Sequence, residues 1–319
     1  MVQNPLPLVD ITAFLDGSDK PGVAKAFAAA MEGTGFAVIT GHGVPKGLAD
    51  ALYATMTAYF DHDLDVKSSH TPPEKAKARG YLPMGVESVG KTLGGETPHD
   101  LCEALVFAAP HRPEKDRNIW PETPAELSGL VQDWTREIVR LTHDLTRLKS
   151  LALDLPETYF DSAHADPALT LRFVNYPDQE TPPAPGQLRY GEHHDYGGLT
   201  ILRQDGAPGG LEVMGKDGAW HEAEVVPDSF VINVGDLLAR WTNDRWKSTL
   251  HRVTNPPRDL TGSTRRLSMV AFTGPREDVE VACLPSCQSA DSPAKYEPVQ
   301  AGDYIMSKIR ASHDLTPTD

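Results

Sequence analysis

The chain has 319 residues, of which 39% are hydrophobic and 24% are charged, and these are the proportions of an ordinary globular protein with a buried core. Its 45 acidic and 30 basic side chains give a formal net charge of −15, which argues against nucleic acid as a partner and against attraction to an anionic membrane surface. With three cysteines, no secretory signal and no apolar run of about eighteen residues, we expect a cytoplasmic protein without transmembrane helices.

Helix-forming patterns dominate the first part of the chain. Residues 23–35 are rich in helix formers and end in a Gly-Thr-Gly sequence, which predicts a helix that stops there. The apolar run at 36–40 predicts a short strand. Residues 46–63 predict a second helix, because four apolar side chains are spaced along one face: Leu48, Leu52, Met56 and Phe60. Residues 64–123 are rich in glycine, proline and lysine and predict irregular structure.

The clearest helical pattern follows Thr123. Thr123 and Glu126 have the spacing of a capping box, with Pro124 at the first helical position, so the sequence predicts that the helix begins there. Apolar residues then recur at helical spacing on one face: Leu127, Leu130, Val131, Trp134, Ile138, Leu141, Leu145 and Leu148.

From about residue 169 the pattern changes to short strands. Six apolar or alternating runs are separated by turns that contain Gly, Pro, Asp and Asn, and they lie at residues 171–176, 199–204, 211–214, 229–236, 267–272 and 279–284. Many short strands without intervening helices are typical of an antiparallel sandwich or barrel. We therefore predict one compact unit with helices outside a β core.

The segment YGEHHDYGGLTIL, residues 190–202, places two histidines and an aspartate directly before an apolar run. Because the side chains of a strand alternate between its faces, His193 and Asp195 would share a face and His194 would point away from it. Such a His-x-Asp pair supplies two convergent metal ligands. Taken alone, the pair is explained equally well by hydrogen bonding within a loop.

Two later segments favour the metal site. WKSTLHRVTNP, residues 246–256, supplies His251 as a third ligand, and two histidines with one carboxylate leave open positions on an octahedral Fe(II). In TRRLSMVAF, residues 264–272, Arg266 and Ser268 share one strand face and suit a carboxylate. A surface ion pair and an ordinary strand serine are the alternatives. The apolar neighbours favour a buried strand, where an arginine needs an acidic partner.

These motifs, in this order and spacing, resemble the non-haem Fe(II), 2-oxoglutarate-dependent dioxygenases of the isopenicillin N synthase-like family. The resemblance extends over nearly the whole chain, from PLVDITAF and GTGFAVITGHGVP through RGYLPMGVES and LRFVNYP to the segments quoted above. It implies a fold of the α+β class with a mainly β core, a double-stranded β-helix (jelly roll), and flanking helices that are mostly N-terminal. We expect a single oxygenase unit with a helix-rich region 1–165, an Fe/2-oxoglutarate-binding core 166–285 and a C-terminal tail 286–319.

The resemblance also implies roles for individual residues. His193, Asp195 and His251 match the iron ligands of the family, and Arg266 and Ser268 match the pair that binds the distal carboxylate of 2-oxoglutarate. Tyr176 matches a tyrosine that also reaches the co-substrate in many relatives, and a packed strand aromatic is the alternative. His194 replaces a residue that is commonly small, and the roles of His194 and Glu192 stay open.

The activity that the resemblance implies is oxidation of a small organic molecule by dioxygen, with release of succinate and CO2. We expect hydroxylation; desaturation or oxidative ring closure, with or without 2-oxoglutarate, and a non-catalytic binding module are the alternatives. Four residues are candidates for substrate contacts, with Arg79 as a further polar anchor and core packing as an equal alternative for the aromatics: Tyr81, Phe107, Arg172 and Phe272. We expect a monomer or a weak homo-oligomer.

Overall fold

The computed structural model describes residues 6–72, 79–112 and 118–312. The helices are α1 (Thr12–Leu15), α2 (Lys20–Gly33), α3 (Lys46–Phe60), α4 (Leu64–Ser68), α5 (Leu127–Ala152), α6 (Asp236–Trp241) and α7 (Ala301–Ser312). The strands are β1 (Leu8–Asp10), β2 (Phe36–Thr40), β3 (Gly80–Leu82), β4 (Glu103–Ala108), β5 (Ala168–Tyr176), β6 (Tyr190–His193), β7 (Leu199–Gln204), β8 (Leu211–Met214), β9 (Trp220–Glu222), β10 (Phe230–Val234), β11 (His251–Val253), β12 (Arg266–Gly274), β13 (Glu280–Val281) and β14 (Val299–Gln300).

Two sheets face each other and form the β core. The main sheet has eight strands in the order β1-β2-β10-β7-β12-β5-β4-β3, and the smaller sheet has four in the order β6-β11-β8-β9. The β1–β2 pair is parallel, and the other neighbours are antiparallel. Apolar side chains of both sheets pack together at one side of the interface, among them Phe36 and Val231 of the main sheet and Leu211 and Val213 of the smaller one.

The alternation of side chains along β5 and β12 separates two environments. One face of the main sheet packs against the helices through residues such as Phe173 on β5 and Met269 on β12. The residues between them in sequence, such as Val174 and Ser268, point toward the smaller sheet and line a cavity. A strand residue in the main sheet therefore belongs either to the helix-packed core or to the cavity wall, according to its position in the alternation.

Helix α5 covers the outer face of the main sheet and packs against α2 and α3. Its buried stripe has the predicted helical spacing, but the helix begins at Leu127, after Thr123 and Pro124. The predicted capping box is wrong, because Glu126 is itself the N-cap and makes no side-chain capping bond. Its carboxylate instead accepts a 3.5 Å hydrogen bond from Thr55 of α3. A contact between helices has replaced the local cap.

The prediction of irregular structure over 64–123 is wrong as well, since β3 and β4 extend the main sheet there. A buried carboxylate stabilises this extension: Glu103 accepts hydrogen bonds from Lys67, Tyr81 and Asn175. Four of the eight strands of the main sheet thus come before residue 165. The strand predicted at 279–284 shortens to Glu280–Val281.

The predicted tail, 286–319, contains β14 and α7, and its last residues, 313–319, lie outside the described residues. Helix α7 packs against α6 and against a 3₁₀ turn at Val89–Leu93. Among the described residues, none of the helices combines the length and the apolarity that crossing a bilayer requires.

The placement of Phe107 predicts a structural role for this side chain. It is fully buried, stacks on Trp120 with ring centroids 4.6 Å apart, and meets Phe173 edge to face. Phe107→Ala should lower the free energy of unfolding by about 3–5 kcal/mol, because a cavity remains in the core. Denaturant titration measures this loss. The control Leu260→Ala, at a residue that is 44% exposed, should change it by less than about 0.5 kcal/mol. Equal stability of the two variants would contradict the placement.

Candidate active site

Two histidines and one aspartate converge between the sheets. His193 ends β6 and His251 begins β11, and antiparallel pairing sets these two residues directly opposite each other. The Nε2 atoms of His193 and His251 each lie 3.8 Å from Oδ1 of Asp195. All three side chains are buried, and their candidate ligand atoms lie within 4.8 Å of one another. In the described part of the chain, this is the one group of three or more such residues with metal-binding geometry.

Backbone carbonyls orient both imidazoles. Nδ1 of His193 lies 2.8 Å from the Gly191 carbonyl oxygen, and Nδ1 of His251 lies 3.0 Å from that of Thr249. A carbonyl oxygen can only accept, so each Nδ1 carries the hydrogen. The Nε2 lone pairs are therefore available to a metal, and the rings are held by hydrogen bonds on their far sides.

The Asp195 carboxylate is held by two side chains of the main sheet. Thr200 on β7 and Asn233 on β10 are opposite each other in the strand register, and both donate 2.6 Å hydrogen bonds to Oδ2 of Asp195. The other oxygen, Oδ1, faces the histidines. The sequence reasoning missed Thr200 and Asn233. Their signal is a polar residue between two apolar neighbours of a strand, at an inward position of the alternation.

The structure agrees with the prediction that His194 points away from His193 and Asp195, but strand alternation explains only part of this arrangement. Strand β6 ends at His193, so the position of Asp195 follows from the next turn and from its hydrogen bonds, not from the pleat. His194 is directed elsewhere, with Nδ1 2.9 Å from the Ser248 carbonyl oxygen. Glu192, whose role was open, accepts a 3.0 Å hydrogen bond from Arg252 across the β6–β11 pair.

Burial sets the protonation of the cluster. Desolvation, reinforced by the neighbouring His251, lowers the pKa of His193 to about 3. Burial alone would raise the pKa of Asp195, but the two histidines and the hydrogen bonds from Thr200 and Asn233 together leave it below its ordinary value. At neutral pH the site therefore presents neutral His193 beside a carboxylate, which is the state that binds a divalent metal.

A cavity of about 570 Å³, its mouth included, opens beside this cluster. Arg266 and Ser268 line it together, as their shared strand face predicts. Nη2 of Arg266 donates to Gln204 at 2.8 Å, and Nη1 lies 3.3 Å from the carbonyl oxygens of Asp205 and Ala207.

The Nε atom of Arg266 is buried and has no hydrogen-bond partner among the described residues. A guanidinium with an unused donor, next to a hydroxyl in a buried cavity, fits a carboxylate group. Tyr176, which is opposite Arg266 in the β5–β12 register, lines the same wall.

Comparisons with known proteins agree with this site. Residues 165–275 match the model of the 2OG-Fe(II) oxygenase superfamily, and residues 6–123 match the N-terminal model of the non-haem dioxygenases in morphine synthesis. The chain is 33% identical to a proline hydroxylase of Petromyces alliaceus, and the match covers 94% of this chain and 97% of that protein. The chain belongs to the 2OG-Fe(II) oxygenase superfamily.

Solved structures and a second relative support the same conclusion. A full-length Neurospora crassa protein in complex with α-KG (2-oxoglutarate) and thymine superposes on this oxygenase with a TM-score of 0.85, at 29% identity and 96% coverage of both chains. A Caulobacter crescentus protein assigned to the 2OG-Fe(II) oxygenase family gives 0.84, at 28% identity, covering 97% of this chain and 99% of that one. A clavatol oxidase of Penicillium crustosum is 29% identical, with 97% of both chains covered.

The predicted jelly-roll fold and family are thereby confirmed. The protein is an enzyme that uses Fe(II), 2-oxoglutarate and dioxygen to oxidise a small organic molecule.

The four candidate substrate residues divide between the cavity and the core. Arg172 and Phe272 line the cavity of the oxygenase. Tyr81 and Phe107 do not, because their positions on β3 and β4 turn them toward the helices, where both belong to the apolar core. Arg79 is half-buried and is also not part of the lining. The expectation that Tyr81 and Phe107 form the pocket is therefore corrected.

Arg172 already has an acidic partner, which the sequence reasoning also missed. Its Nη1 donates to Glu87 at 2.9 Å and its Nη2 donates to the second carboxylate oxygen. The ring of Tyr190 lies 5.4 Å from the Arg172 guanidinium carbon. Nearby, Asp100 accepts 2.8 Å hydrogen bonds from the amides of Val89 and Gly191, and burial raises its pKa to about 6.

The hydrogen bonds to Asp195 generate a prediction. Thr200→Val keeps the shape of the side chain and removes one donor, so the carboxylate is held less firmly and metal affinity should fall about tenfold or more. Anaerobic Fe(II) titration measures the affinity. Thr273→Val is the matched control, since Thr273 is equally buried but donates to the Leu199 carbonyl and does not line the cavity. Wild-type affinity in both variants would show that Thr200 does not support the site.

Proposed function

We propose that His193, Asp195 and His251 hold Fe(II), and that Arg266 and Ser268 receive the distal carboxylate of 2-oxoglutarate with Tyr176 beside it. One observation carries the proposal: three convergent ligand atoms and the unused Nε donor of Arg266 belong to one buried cavity. The family membership supports the same assignment, because the range that matches the superfamily model, residues 165–275, contains all of these residues.

Bound iron with 2-oxoglutarate and dioxygen supplies the oxidising power, and 2-oxoglutarate leaves as succinate and CO2. The residues of the chain bind these groups and orient them. The carbonyls of Gly191 and Thr249 fix the two imidazoles, and Arg266 sets the direction in which the co-substrate lies. Apolar walls such as Val174 and Val270 keep water away from the reacting atoms.

We propose that the substrate is a small molecule with no net charge at the end that meets Arg172, and that it is hydroxylated. The bidentate bond to Glu87 already balances the charge of Arg172, and Asp100 is not part of the cavity lining, so the lining at this wall offers polar contacts without surplus charge. Phe272, on the same face of β12 as Ser268, supplies an apolar contact. Two relatives, a proline hydroxylase and a clavatol oxidase, support oxidation of a small molecule, and their names indicate different substrates.

We further propose a single-unit cytoplasmic enzyme, monomeric or weakly homo-oligomeric, that binds neither nucleic acid nor membranes. The sheet that joins the strands before residue 165 to the core supports the single unit. The net charge of −15 supports the absence of polyanionic partners.

The ligand assignment predicts a contrast between adjacent histidines. His193→Ala and Asp195→Ala should each abolish tight Fe(II) binding and turnover, because each removes one of three ligands. His194→Ala should keep near-stoichiometric iron, because its ring bonds to the Ser248 carbonyl. Metal analysis after anaerobic loading, with circular dichroism to check the fold, measures the contrast. Loss of iron in His194→Ala with retention in His193→Ala would refute the assignment.

The reaction is tested by screening small molecules for stimulated succinate release, followed by mass measurement of the product. A product heavier by one oxygen atom is expected. A loss of two hydrogens would indicate desaturation or ring closure instead.

Phe272→Ala should raise the KM for the substrate found and leave the KM for 2-oxoglutarate within about twofold, because it removes an apolar contact of about 1–3 kcal/mol on the substrate side. A rise in the KM for 2-oxoglutarate alone would contradict this placement.

A further inference from the structure

A second buried arginine, Arg189, lies behind the cavity and takes no part in the proposed binding of iron or 2-oxoglutarate. Its exposed fraction is 0%, and it directly precedes β6. Nη1 donates to the carbonyl oxygens of Pro208 and Gly209 at 2.6 and 3.0 Å, and Nη2 donates to that of Thr264. Its Nε is buried without a partner in the described part of the chain. An arginine that bonds only to neutral carbonyls is an unusual use of a buried charge.

Arg189 and Arg266 hold the same turn. Residues 205–209, here named the arginine turn, accept from Arg266 through the carbonyls of Asp205 and Ala207 and from Arg189 through the next two carbonyls. Tyr176 connects the two arginines from another direction. Its ring centroid lies 6.0 Å from the guanidinium carbon of Arg189, and its strand position is opposite Arg266. Both guanidinium groups therefore lie at one end of the cavity, with Arg266 in its wall and Arg189 behind it.

The positive charge at this end exceeds the buried negative charge that meets it. Asp205 lies 3.5 Å from Arg266 and balances one of the two positive charges; its carboxylate also accepts from the Leu267 amide at 2.7 Å and from Tyr53 at 2.9 Å. Asp178, the other nearby carboxylate, is exposed to solvent and its charge is screened. Burial chiefly, and then the like charge of Arg266, lower the pKa of Arg189 to about 10. A bound anion would balance the pair.

We propose that Arg189 is a positioning residue that makes this end of the cavity select a co-substrate with a negatively charged distal group over one with a neutral distal group. It does not line the cavity, so it acts without touching the ligand. It fixes the arginine turn and Tyr176 around Arg266, and it contributes a second buried positive charge to the pocket.

The test compares two ligands that differ only at the distal end. The anaerobic Fe(II) enzyme is titrated with 2-oxoglutarate and, separately, with 2-oxopentanoate, which ends in a methyl group, and binding is followed by visible absorption. In Arg189→Gln the affinity for 2-oxoglutarate should fall about tenfold or more. The affinity for 2-oxopentanoate should change by less than about twofold, since it has no distal charge.

Two further variants make the outcome decisive. Arg189→Lys keeps the charge and should keep most of the preference for 2-oxoglutarate; if Arg189→Gln does not fold, loss of the preference in a folded Arg189→Lys overturns the proposal. Arg112→Gln is the matched control, because Arg112 is also buried and donates to the carbonyls of Asp166 and Pro167 away from the cavity. It should leave both affinities unchanged. Two results in Arg189→Gln would overturn the proposal. One is an equal loss of affinity for both ligands, which would mean a generally loosened pocket, and the other is an unchanged affinity for 2-oxoglutarate.

Discussion

The active site depends on one carboxylate that joins the two sheets. Oδ2 of Asp195 is bound by Thr200 and Asn233 of the main sheet, while Oδ1 faces His193 and His251 of the smaller sheet. The amide of Asp236, at the start of α6, donates 2.7 Å to the Asp195 carbonyl and holds the backbone as well. A carboxylate that two neutral donors hold in a buried site stays ionised and stays oriented. The sheets must therefore assemble in register before the three ligand atoms can converge.

The same assembly gives the cavity two chemically different ends. At one end Arg266, with Arg189 behind it, presents positive charge that Asp205 only partly balances. At the other end Glu87 balances Arg172 by a bidentate bond, so the wall is polar but close to neutral. The proposed placement of the distal carboxylate at Arg266 follows this charge pattern, because a dianion gains more from the first end than from the second.

Local patterns predicted the strands that carry the site. The apolar runs at 199–204 and 211–214 became strands with those bounds, and the alternation along β12 placed Arg266 and Ser268 on the cavity face. The helical periodicity after residue 127 was also right. The order and spacing of the motifs indicated the superfamily, and the predicted fold class and cofactors are confirmed. That His193, Asp195 and His251 hold the iron stays a prediction, although the structure brings them together.

What the sequence by itself determined is therefore local: where strands and helices lie, and which residue types have the spacing of a ligand set. Period-2 and period-3.6 patterns arise from the geometry of a single strand or helix, so they can be read from the sequence without knowledge of the neighbouring elements. The tertiary structure alone decided that Tyr81 on β3 and Phe107 on β4 face the helices, so both are core residues. It also decided that Glu126 reaches Thr55 rather than its own helix and that Arg189 shares a turn with Arg266. Thr55 and Glu126 are 71 positions apart, and Arg266 and Ala207 are 59 positions apart. No local pattern encodes a neighbour that comes into contact only on folding.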